Sequence, residues 1–186
     1  MHYDVRLRRL STDQLTDREA HSLRAMLVMA FHDPAEPEEA FSAEDWQHAI
    51  GGTHVLAEVE GAIVAHASVV ERELRVAAEP LRTGYVEAVA TAHDARGRGI
   101  GTAVMREIGA IVHEEYELGA LGTGAHHFYE RLGWRAWPGP TAVRTAGGEQ
   151  RTSEDDGYIM VLRTPSTPPL DEAATLSCDW RPGDVW

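Results

Sequence analysis

Apolar residues at the start of the chain change from an alternating to a helical spacing. Val5 and Leu7 alternate with polar neighbours, which predicts a strand. Thr16 and Glu19 then have the spacing of a capping box, which is typical of a helix start. The apolar residues that follow recur at helical spacing: Leu23, Met26, Leu27 and Ala30. The first part of the chain is therefore predicted to be a strand followed by an amphipathic helix.

The next segment predicts a loop, a short helix and three strands. Prolines and charges indicate a loop over residues 32–39, and a short helix is expected from Ser42 to Gly51. A hairpin turn at Glu60-Gly61 separates two strand-like segments, THVLAEV and AIVAHASVV. A further turn near Glu79-Pro80 leads into the strand LRTGYVEAVAT. Connections this short favour antiparallel pairing.

Helices and short strands alternate in the second half. An amphipathic helix is predicted from about Gly101 to Tyr116, because four apolar residues step by four, four and three: Ile100, Val104, Ile108 and Ile111. Residues 118–122 predict a short buried strand, and residues 125–134 a helix that closes at Gly133. Strands at 142–144 and 158–162 follow, with a polar loop at 145–157 between them. The order β-α-α-β-β-β-α-β-α-β-β predicts an α/β or α+β domain with a mixed sheet.

Composition excludes several classes of protein. No run of 18 apolar residues is present, and the N-terminus lacks the apolar core of a secretory signal. Cys178 is the single cysteine, which fits a reducing cytoplasm. The 17 basic and 30 acidic side chains give a net charge of −13, which argues against nucleic-acid binding. Such a surface can serve solubility alone, or it can steer polycations into a cleft. The histidines show no ligand spacing, so no metal site is expected.

The segment EAVATAHDARGRGIGTAVM, residues 87–105, carries the clearest candidate chemistry. A predicted strand ends near Thr91, and a glycine-rich loop leads into the long helix. The first N–H groups of a helix have no intrahelical partner, and together with the helix dipole they attract phosphate oxygens. Neither the Walker spacing nor the G-x-G-x-x-G spacing is present. The loop therefore predicts a site for a phosphate-bearing cofactor of another kind.

Two motifs in this order resemble those of the GNAT acetyltransferases. The pattern Arg96-x-x-Gly99-x-Gly101 at the head of a long helix is similar to their acetyl-CoA pyrophosphate loop. The later segment FYERLGW supplies an aromatic-tyrosine pair before a glycine-aromatic pair: Phe128, Tyr129, Gly133 and Trp134. More narrowly, five segments look like the aminoglycoside 2′-N-acetyltransferases of mycobacteria and related bacteria: LRTGYVEAVAT, YELGAL, WPGPT, DDGYIMVL and CDWRPGDVW. The likeness runs from about Trp46 to Trp186, and residues 32–41 fit poorly.

The resemblance implies a single GNAT acetyltransferase domain over residues 1–186, with a mixed, mostly antiparallel sheet flanked by helices. It implies acetyl-CoA as cosubstrate, an aminoglycoside as acceptor, transfer to the 2′-amine by direct attack in a ternary complex, and antibiotic resistance as the outcome. A homodimer is expected, with no nucleic-acid or membrane partner. The residues implied in cofactor binding are Val89, Ala90, Thr91, Arg96, Gly97, Arg98, Gly99, Ile100, Gly101 and Thr102.

The same resemblance assigns catalytic and acceptor-binding roles. Glu87 is implied as the base that accepts the amine proton through a water, Tyr129 as the acid at the departing sulfur, and the N–H near Val89 as the donor to the thioester oxygen. The α-carboxylate of Trp186 completes the catalytic set. Protonated sugar amines suit carboxylates, and the implied acceptor-binding residues are Asp45, Glu87, Ala88, Gly122, Asp155, Asp184 and Trp186. An acid of the 32–40 loop, such as Asp33 or Glu39, is expected to join them.

Other interpretations of the sequence stay open beside this one. Glu87 can be a solvated strand residue, and Tyr129 a core residue of an amphipathic helix. A GNAT enzyme acting on another polyamine or on a protein N-terminal amine would share the cofactor loop but would leave the acidic C-terminal tail unexplained. A non-catalytic module that binds CoA or sequesters a cationic drug is a further alternative, and a CoA-free structural domain would leave residues 96–101 without a role.

Overall fold

Four α-helices and ten strands occur in the part of the chain described by the computed structural model, residues 4–33, 35 and 40–186. The helices are α1 (Asp17–Phe31), α2 (Ala43–Ala49), α3 (Ile100–Glu115) and α4 (His126–Glu130). The strands are β1 (Val5–Ser11), β2 (Thr53–Val59), β3 (Ala62–Val76), β4 (Glu79–Thr91), β5 (Leu118–Gly122), β6 (Arg135–Ala136), β7 (Thr141–Thr145), β8 (Gly148–Arg151), β9 (Ile159–Arg163) and β10 (Leu176–Asp179).

The chain divides into two compact units. The first contains the described residues of Met1–Val70 together with Val86–Ile108, and the second contains Glu71–Tyr85 together with Gly109–Trp186. Strands β3 and β4 and helix α3 each contribute one part to each unit. None of the described helices is both long enough and apolar enough to cross a membrane.

Antiparallel pairing builds the sheet of the first unit. Strand β1 pairs with β2 from Val5 to Ser11, and β2 pairs with β3 from Thr53 to Val59. The hairpin predicted at Glu60-Gly61 is confirmed, with φ angles of 52° and 81° at its two residues. Gly52 lies where strands approach closely, because a Cβ there would lie 1.9 Å from the Val69 carbonyl oxygen. Only glycine fits this position.

Helix α1 covers one face of that sheet and supplies part of the core. Its predicted capping box is present: Thr16 Oγ1 accepts from the Glu19 N–H at 3.2 Å, and the Glu19 carboxylate accepts from the Thr16 N–H at 3.0 Å. The buried residues of this core are Leu10, Leu23, Leu27, Ala30, Leu56 and Ala90. Burying a leucine of this kind contributes about 1.5–3 kcal/mol. Helix α2 begins as predicted, with Ser42 at its N-cap and Asp45 completing the box.

The second unit contains a mixed sheet. Its strands follow the order β6-β9-β5-β4-β3-β10-β7-β8, in which β4 and β5 are parallel, as are β10 and β7. The other pairs for which a register is defined are antiparallel: β5 with β9, β6 with β9, β7 with β8 and β10 with β3. Trp134 and Trp137 are fully buried here, and Trp137 Nε1 donates to the Ala174 carbonyl oxygen at 3.1 Å. The predicted mixed, mostly antiparallel sheet with flanking helices is confirmed.

Several predicted boundaries are wrong in instructive ways. The turn expected at Glu79-Pro80 lies at residues 77–78, where Ala77 has a φ of 53°, and β4 already begins at Glu79. Helix α4 covers only His126–Glu130, although Gly133, with a φ of 92°, does end the turns that follow it. Strands β6, β8 and β10 were not predicted. Each has two to four residues, and all four of β8 are exposed, so no apolar alternation marks them.

Candidate active site

The glycine-rich loop at the end of β4 leaves open space where side chains would stand. Gly97 and Gly99 have φ angles of 74° and 77°, and a Cβ built on either meets no heavy atom within 4 Å among the described residues. Helix α3 begins directly afterwards, and its first intrahelical bond runs from the Ala103 N–H to the Gly99 carbonyl oxygen at 3.0 Å. The N–H groups of Ile100–Thr102 precede that bond. Glycine-rich backbone beside helix N–H groups suits phosphate oxygens.

The Arg96 side chain holds this loop in place through two hydrogen bonds to backbone carbonyls. Its Nε donates to the Thr91 carbonyl oxygen at 3.0 Å, and its Nη2 donates to the Ala30 carbonyl oxygen at 2.9 Å. The side chain thus connects the loop to the end of β4 and to the last turn of α1. These contacts fix the position of the loop, while the exposed Arg98 adds positive charge beside the glycines.

Strand β4 carries Glu87, Ala88 and Val89, all half-buried, directly before this loop. Ala88 has a φ of 51°, in the left-handed region that costs a side-chain-bearing residue about 1–2 kcal/mol. The Glu87 carbonyl oxygen accepts a 3.4 Å hydrogen bond from Ser68 Oγ. The unusual backbone conformation therefore lies between the predicted base and the predicted thioester-binding N–H group.

Two buried histidines lie behind this strand in a hydrogen-bonded pair, and His66 contacts the strand directly. His66 Nδ1 lies 2.8 Å from the Ala88 carbonyl oxygen, and His66 Nε2 lies 2.9 Å from His54 Nδ1. Neither side chain has any exposed surface, and burial lowers the pKa of His54 to about 4 and of His66 to about 3. The alternation of side chains along β2 and β3 could have indicated that both histidines face the interior. Their contact also requires the register of the two strands.

The C-terminal tail forms a second group of functional candidates, in the second unit. The Trp186 side chain is only 5% exposed, and its Nε1 donates to Thr152 Oγ1 at 3.0 Å. The preceding carbonyl, of Val185, accepts from Arg72 Nη2 at 2.9 Å and from the Cys178 thiol at 3.3 Å. The last residue is thus held by its ring and by its backbone. Burial raises the pKa of the Cys178 thiol, which suits a packing role.

Carboxylates converge at the end of this tail. The main-chain carbon of the Trp186 carboxylate lies 3.8 Å from the position of a Cβ on Gly122, at the exposed end of β5. The Trp186 N–H donates to Asp184 Oδ1 at 3.4 Å. Burial raises the pKa of Asp155, and the charge of nearby Asp184 adds to that rise. The structure therefore brings together four of the predicted acceptor-binding residues: Gly122, Asp155, Asp184 and Trp186.

Tyr129, Asp45 and Asp33 are the remaining described candidates. Tyr129 is 7% exposed on α4, its ring meets the edge of Trp134 at 6.4 Å between centroids, and burial raises its pKa to about 12. It is consequently a neutral phenol that can donate a proton. Asp45 Oδ2 accepts from the Ser42 N–H at 2.8 Å, so one oxygen already serves the helix cap. Asp33 Oδ1 likewise accepts from the Ala35 N–H at 2.9 Å. Glu39 lies outside the described residues.

The candidates divide between the two units. Asp45, the residues Glu87–Thr91 and the loop from Arg96 to Thr102 belong to the first, and Gly122, Tyr129, Asp155, Asp184 and Trp186 to the second. In the described ranges 4–33, 35 and 40–186, no three His, Cys, Asp or Glu residues form a group suited to a metal ion. The first unit thus offers a loop whose geometry suits phosphate oxygens, and the second offers a group of carboxylates whose charge suits a cation.

Comparisons with known proteins point to one family of acetyltransferases. A family model described as an acetyltransferase (GNAT) domain matches residues 11–137. The chain is 42% identical over 183 residues to an aminoglycoside 2′-N-acetyltransferase from Mycolicibacterium fortuitum, which covers 96% of this chain and 91% of that protein. An Escherichia coli GNAT family N-acetyltransferase solved with CoA is similar at a TM-score of 0.62 and 16% identity, over 96% of this chain and 91% of that one.

A second solved structure, a GNAT family acetyltransferase from Brucella melitensis in complex with acetyl-CoA, gives a TM-score of 0.59 at 18% identity. It covers 91% of this chain and 95% of that chain. At these identities the solved structures show a shared fold. The similarity to the Mycolicibacterium protein is of another kind, because it is a sequence similarity over nearly the whole of both chains.

Proposed function

The chain belongs to the GNAT acetyltransferase family, and from that premise we propose that it transfers the acetyl group of acetyl-CoA to the 2′-amino group of aminoglycosides, which gives resistance to these antibiotics. The fold and the cosubstrate follow from the family: it is an acetyltransferase with the GNAT fold, and it uses acetyl-CoA. The predictions of the fold, the enzyme class and acetyl-CoA are confirmed.

The carboxylates of Asp155 and Asp184 beside the anchored residue Trp186 are the observation that carries the choice of acceptor. Aminoglycosides are polyamines that are largely protonated near neutral pH, so their site needs carboxylates that are held in place. The buried ring of Trp186 and the bond from Arg72 to the Val185 carbonyl hold the terminal carboxylate beside Gly122. Asp184 accepts from the Trp186 N–H, and Asp155 lies near Asp184. The name of the Mycolicibacterium relative supports the same acceptor and the 2′ position.

We assign the proton transfers to Glu87 and Tyr129. A 2′-ammonium loses one proton to Glu87 through a water and becomes a nucleophile. Its lone pair then attacks the thioester carbon, the C–N bond forms, the C–S bond breaks, and sulfur leaves with the electron pair. Sulfur takes the phenolic proton of Tyr129. The raised pKa of this phenol means that it is protonated near neutral pH. The second proton leaves nitrogen for solvent, and the tyrosine regains one from there.

Phosphate binding is assigned to the loop and the start of α3. The open space at Gly97 and Gly99 allows the pyrophosphate of the cosubstrate to approach the backbone, and the N–H groups of Ile100–Thr102 face the negative charge. Arg96 holds the loop through the Thr91 and Ala30 carbonyls. The backbone of residues 88–91 would pair with the pantetheine arm as an added strand.

Thiol release from acetyl-CoA tests the proposed acceptor. Gentamicin and tobramycin carry a 2′-amine, whereas amikacin and kanamycin A carry a 2′-hydroxyl. We expect release with the first pair and none with the second. Release with all four would contradict the 2′ position. Release only with linear polyamines or peptides would keep the acetyltransferase and reject the aminoglycoside.

A one-residue extension tests the role of the tail. Adding a glycine after Trp186 keeps the buried ring and the net charge but moves the terminal carboxylate by about 3.8 Å. We expect kcat/KM for tobramycin to fall about tenfold, which corresponds to the loss of about one charge-assisted hydrogen bond. The KM for acetyl-CoA serves as the internal control and should not change. An unchanged kcat/KM for tobramycin would remove the terminal carboxylate from the site.

Three further assignments rest on the family resemblance and on composition. We propose a homodimer, a cytoplasmic location, and a single catalytic domain over residues 1–186. The single buried cysteine suits a reducing compartment in which acetyl-CoA is available. Sedimentation of the purified protein would test the dimer, because a monomer at micromolar concentration would contradict it.

A further inference from the structure

Strand β4 contains a residue in the left-handed region of backbone space. Among the described residues, three with side chains have a positive φ: Glu60, Ala77 and Ala88. The first two lie at turns, whereas Ala88 lies inside the strand. Such a conformation persists within a strand only where its surroundings hold it. Because Ala88 lies between Glu87 and Val89, its backbone angles set the directions of the peptide groups on both sides.

A chain of buried hydrogen bonds supplies that support. His66 Nδ1 lies 2.8 Å from the Ala88 carbonyl oxygen, and His66 Nε2 lies 2.9 Å from His54 Nδ1. His54 Nε2 in turn lies 2.8 Å from Thr12 Oγ1, which accepts from the Gly51 N–H at 2.8 Å. All of these residues belong to the first unit. The chain thus runs from the end of β1 to the middle of β4.

The Ala88 carbonyl at one end of this chain determines which atom donates and which accepts in each of its hydrogen bonds. A carbonyl oxygen only accepts, so His66 donates from Nδ1 and, being neutral, accepts at Nε2. His54 therefore donates from Nδ1, and its Nε2 accepts from the Thr12 hydroxyl. Burial keeps both rings neutral, because it lowers the pKa values of both far below physiological pH. The chain cannot pass a proton on at Ala88, since the carbonyl has none to give, so its role is to hold a position.

Fixing the Ala88 carbonyl also fixes the next N–H group. The peptide between Ala88 and Val89 is planar and trans, so its C=O and N–H point in opposite directions. We propose that the His54–His66 pair positions the Val89 N–H towards the oxygen of the bound thioester, where negative charge develops during transfer. His54 and His66 are thus positioning residues. The inference rests on the proposed function for the reaction that this N–H serves, but not for the aminoglycoside.

Three variants of the full chain test this role. His66→Leu removes the donor. His66→Asn keeps one, because its amide nitrogen is the same number of bonds from Cα as Nδ1. Val55→Ala removes buried methyl groups from β2 but leaves the hydrogen-bonded chain intact, so it reports what lost packing alone does.

We expect His66→Leu to lower kcat about 10- to 100-fold, in the range of a lost or misaimed oxyanion donor, with the Kd of CoA changed less than about threefold. His66→Asn should recover most of kcat, and Val55→Ala should lower stability with kcat retained. A folded His66→Leu protein with the wild-type kcat would overturn the proposal. So would an equal loss of kcat in Val55→Ala.

A measurement on the Val89 amide decides the proposal without any acceptor. Exchanging CoA for acetyl-CoA should shift the Val89 amide proton in the wild type and in His66→Asn but not in His66→Leu. The amide protons of Ile100–Thr102 should respond alike in all three, because they face the phosphates. An equal Val89 shift in His66→Leu overturns the positioning role. If no aminoglycoside is acetylated but Val89 responds as expected, the proposed acceptor fails and the positioning role stands.

Discussion

At the residue scale, the surroundings of a carboxylate determine its pKa and its role, which composition alone does not show. Glu19 caps α1, and its hydrogen bonds to Thr16, aided by Arg8, lower its pKa to about 2. Asp155 is partly buried near Asp184, and its pKa is raised. One group is a structural cap that stays ionised, while the other holds its charge less firmly and faces the proposed cation site. Similar side chains thus take different roles through burial and partners.

Glu87 offers the sharpest test at this scale. Glu87→Gln preserves the size and polarity of the side chain but cannot accept the amine proton, so kcat should fall about 10²- to 10⁴-fold. The melting temperature and the Kd of CoA should stay at their wild-type values. Glu79→Gln is the matched control, since Glu79 is the exposed first residue of the same strand. An unchanged kcat in Glu87→Gln would remove Glu87 from the mechanism.

At the element scale, the loop between β4 and α3 combines two uses of glycine. A positive φ at Gly99 shapes the loop, and the missing side chain keeps the approach open. Gly148 has a positive φ of 110° and equally open surroundings, but it lies at the β7–β8 hairpin. The two positions therefore share a positive φ that favours glycine, and they differ in what has to approach them.

Alanine at each glycine separates these two effects. Gly99→Ala and Gly148→Ala should each lower stability by about 1 kcal/mol, because alanine is strained at a positive φ. Only Gly99→Ala should also raise the KM for acetyl-CoA, by about tenfold or more, since its methyl group occupies the approach to the helix N–H groups. Urea unfolding and acetyl-CoA titrations measure the two quantities. Equal KM values in both variants would contradict phosphate binding at this loop.

The elements that the sequence predicted correctly share a local cause. Capping boxes at Thr16 and Ser42 and the apolar spacing of α3 depend on neighbours within one or two turns. The β2–β3 hairpin depends on Glu60-Gly61 alone. Strand β8 was missed because all four of its residues are exposed, and its pairing with β7 is supplied by backbone bonds that leave no apolar pattern in the sequence. Strand β10 was missed because its partners β3 and β7 are distant in sequence.

The residues of the candidate site divide in the same way, into those set by local sequence and those set by contacts distant in sequence. The glycine-rich loop and the C-terminal tail could be singled out from the sequence because their residues are contiguous and resemble a known family. The histidine chain could not, because it requires the register of β2 against β3 and the unusual φ of Ala88. Neither can be read from spacing within one strand. Long-range contacts of this kind are set by tertiary structure.

At the scale of the whole molecule, the excess of acidic over basic side chains would act on the proposed polycationic acceptor before it arrives. A net charge of −13 attracts polycations at long range, and salt screens that attraction beyond about 10 Å at 0.1 M. The charge effect is shared by the entire surface, whereas the carboxylates at the tail act at contact distance. The same molecule carries two buried neutral histidines whose ionisation is linked to folding.

That linkage gives a pH dependence of stability with a defined sign. Burial holds the folded-state pKa values of His54 and His66 at about 4 and about 3, below the ordinary value of 6.5. Above pH 6.5 both states are neutral and stability does not depend on these groups. As pH falls below 6.5 the unfolded chain gains protons that the folded protein does not, at about 1.4 kcal/mol per pH unit and histidine. Because the unfolded histidines are already half protonated at pH 6.5, the two together should cost about 3 kcal/mol between pH 6.5 and 5.

Urea unfolding at pH 7.5, 6.5, 5.5 and 5.0 would measure this loss. Glu19 has a folded-state pKa of about 2 against an ordinary 4.5, so its effect on stability falls mainly below pH 4.5. The histidines therefore dominate the change in stability between pH 7.5 and 5.0. The double variant His54→Leu, His66→Leu should start less stable at pH 7.5 but lose far less on acidification. Equal slopes in the variant and the wild type would show that these histidines ionise in the folded protein as readily as in the unfolded chain. That result would contradict the neutral, fully directed hydrogen-bond chain behind Ala88.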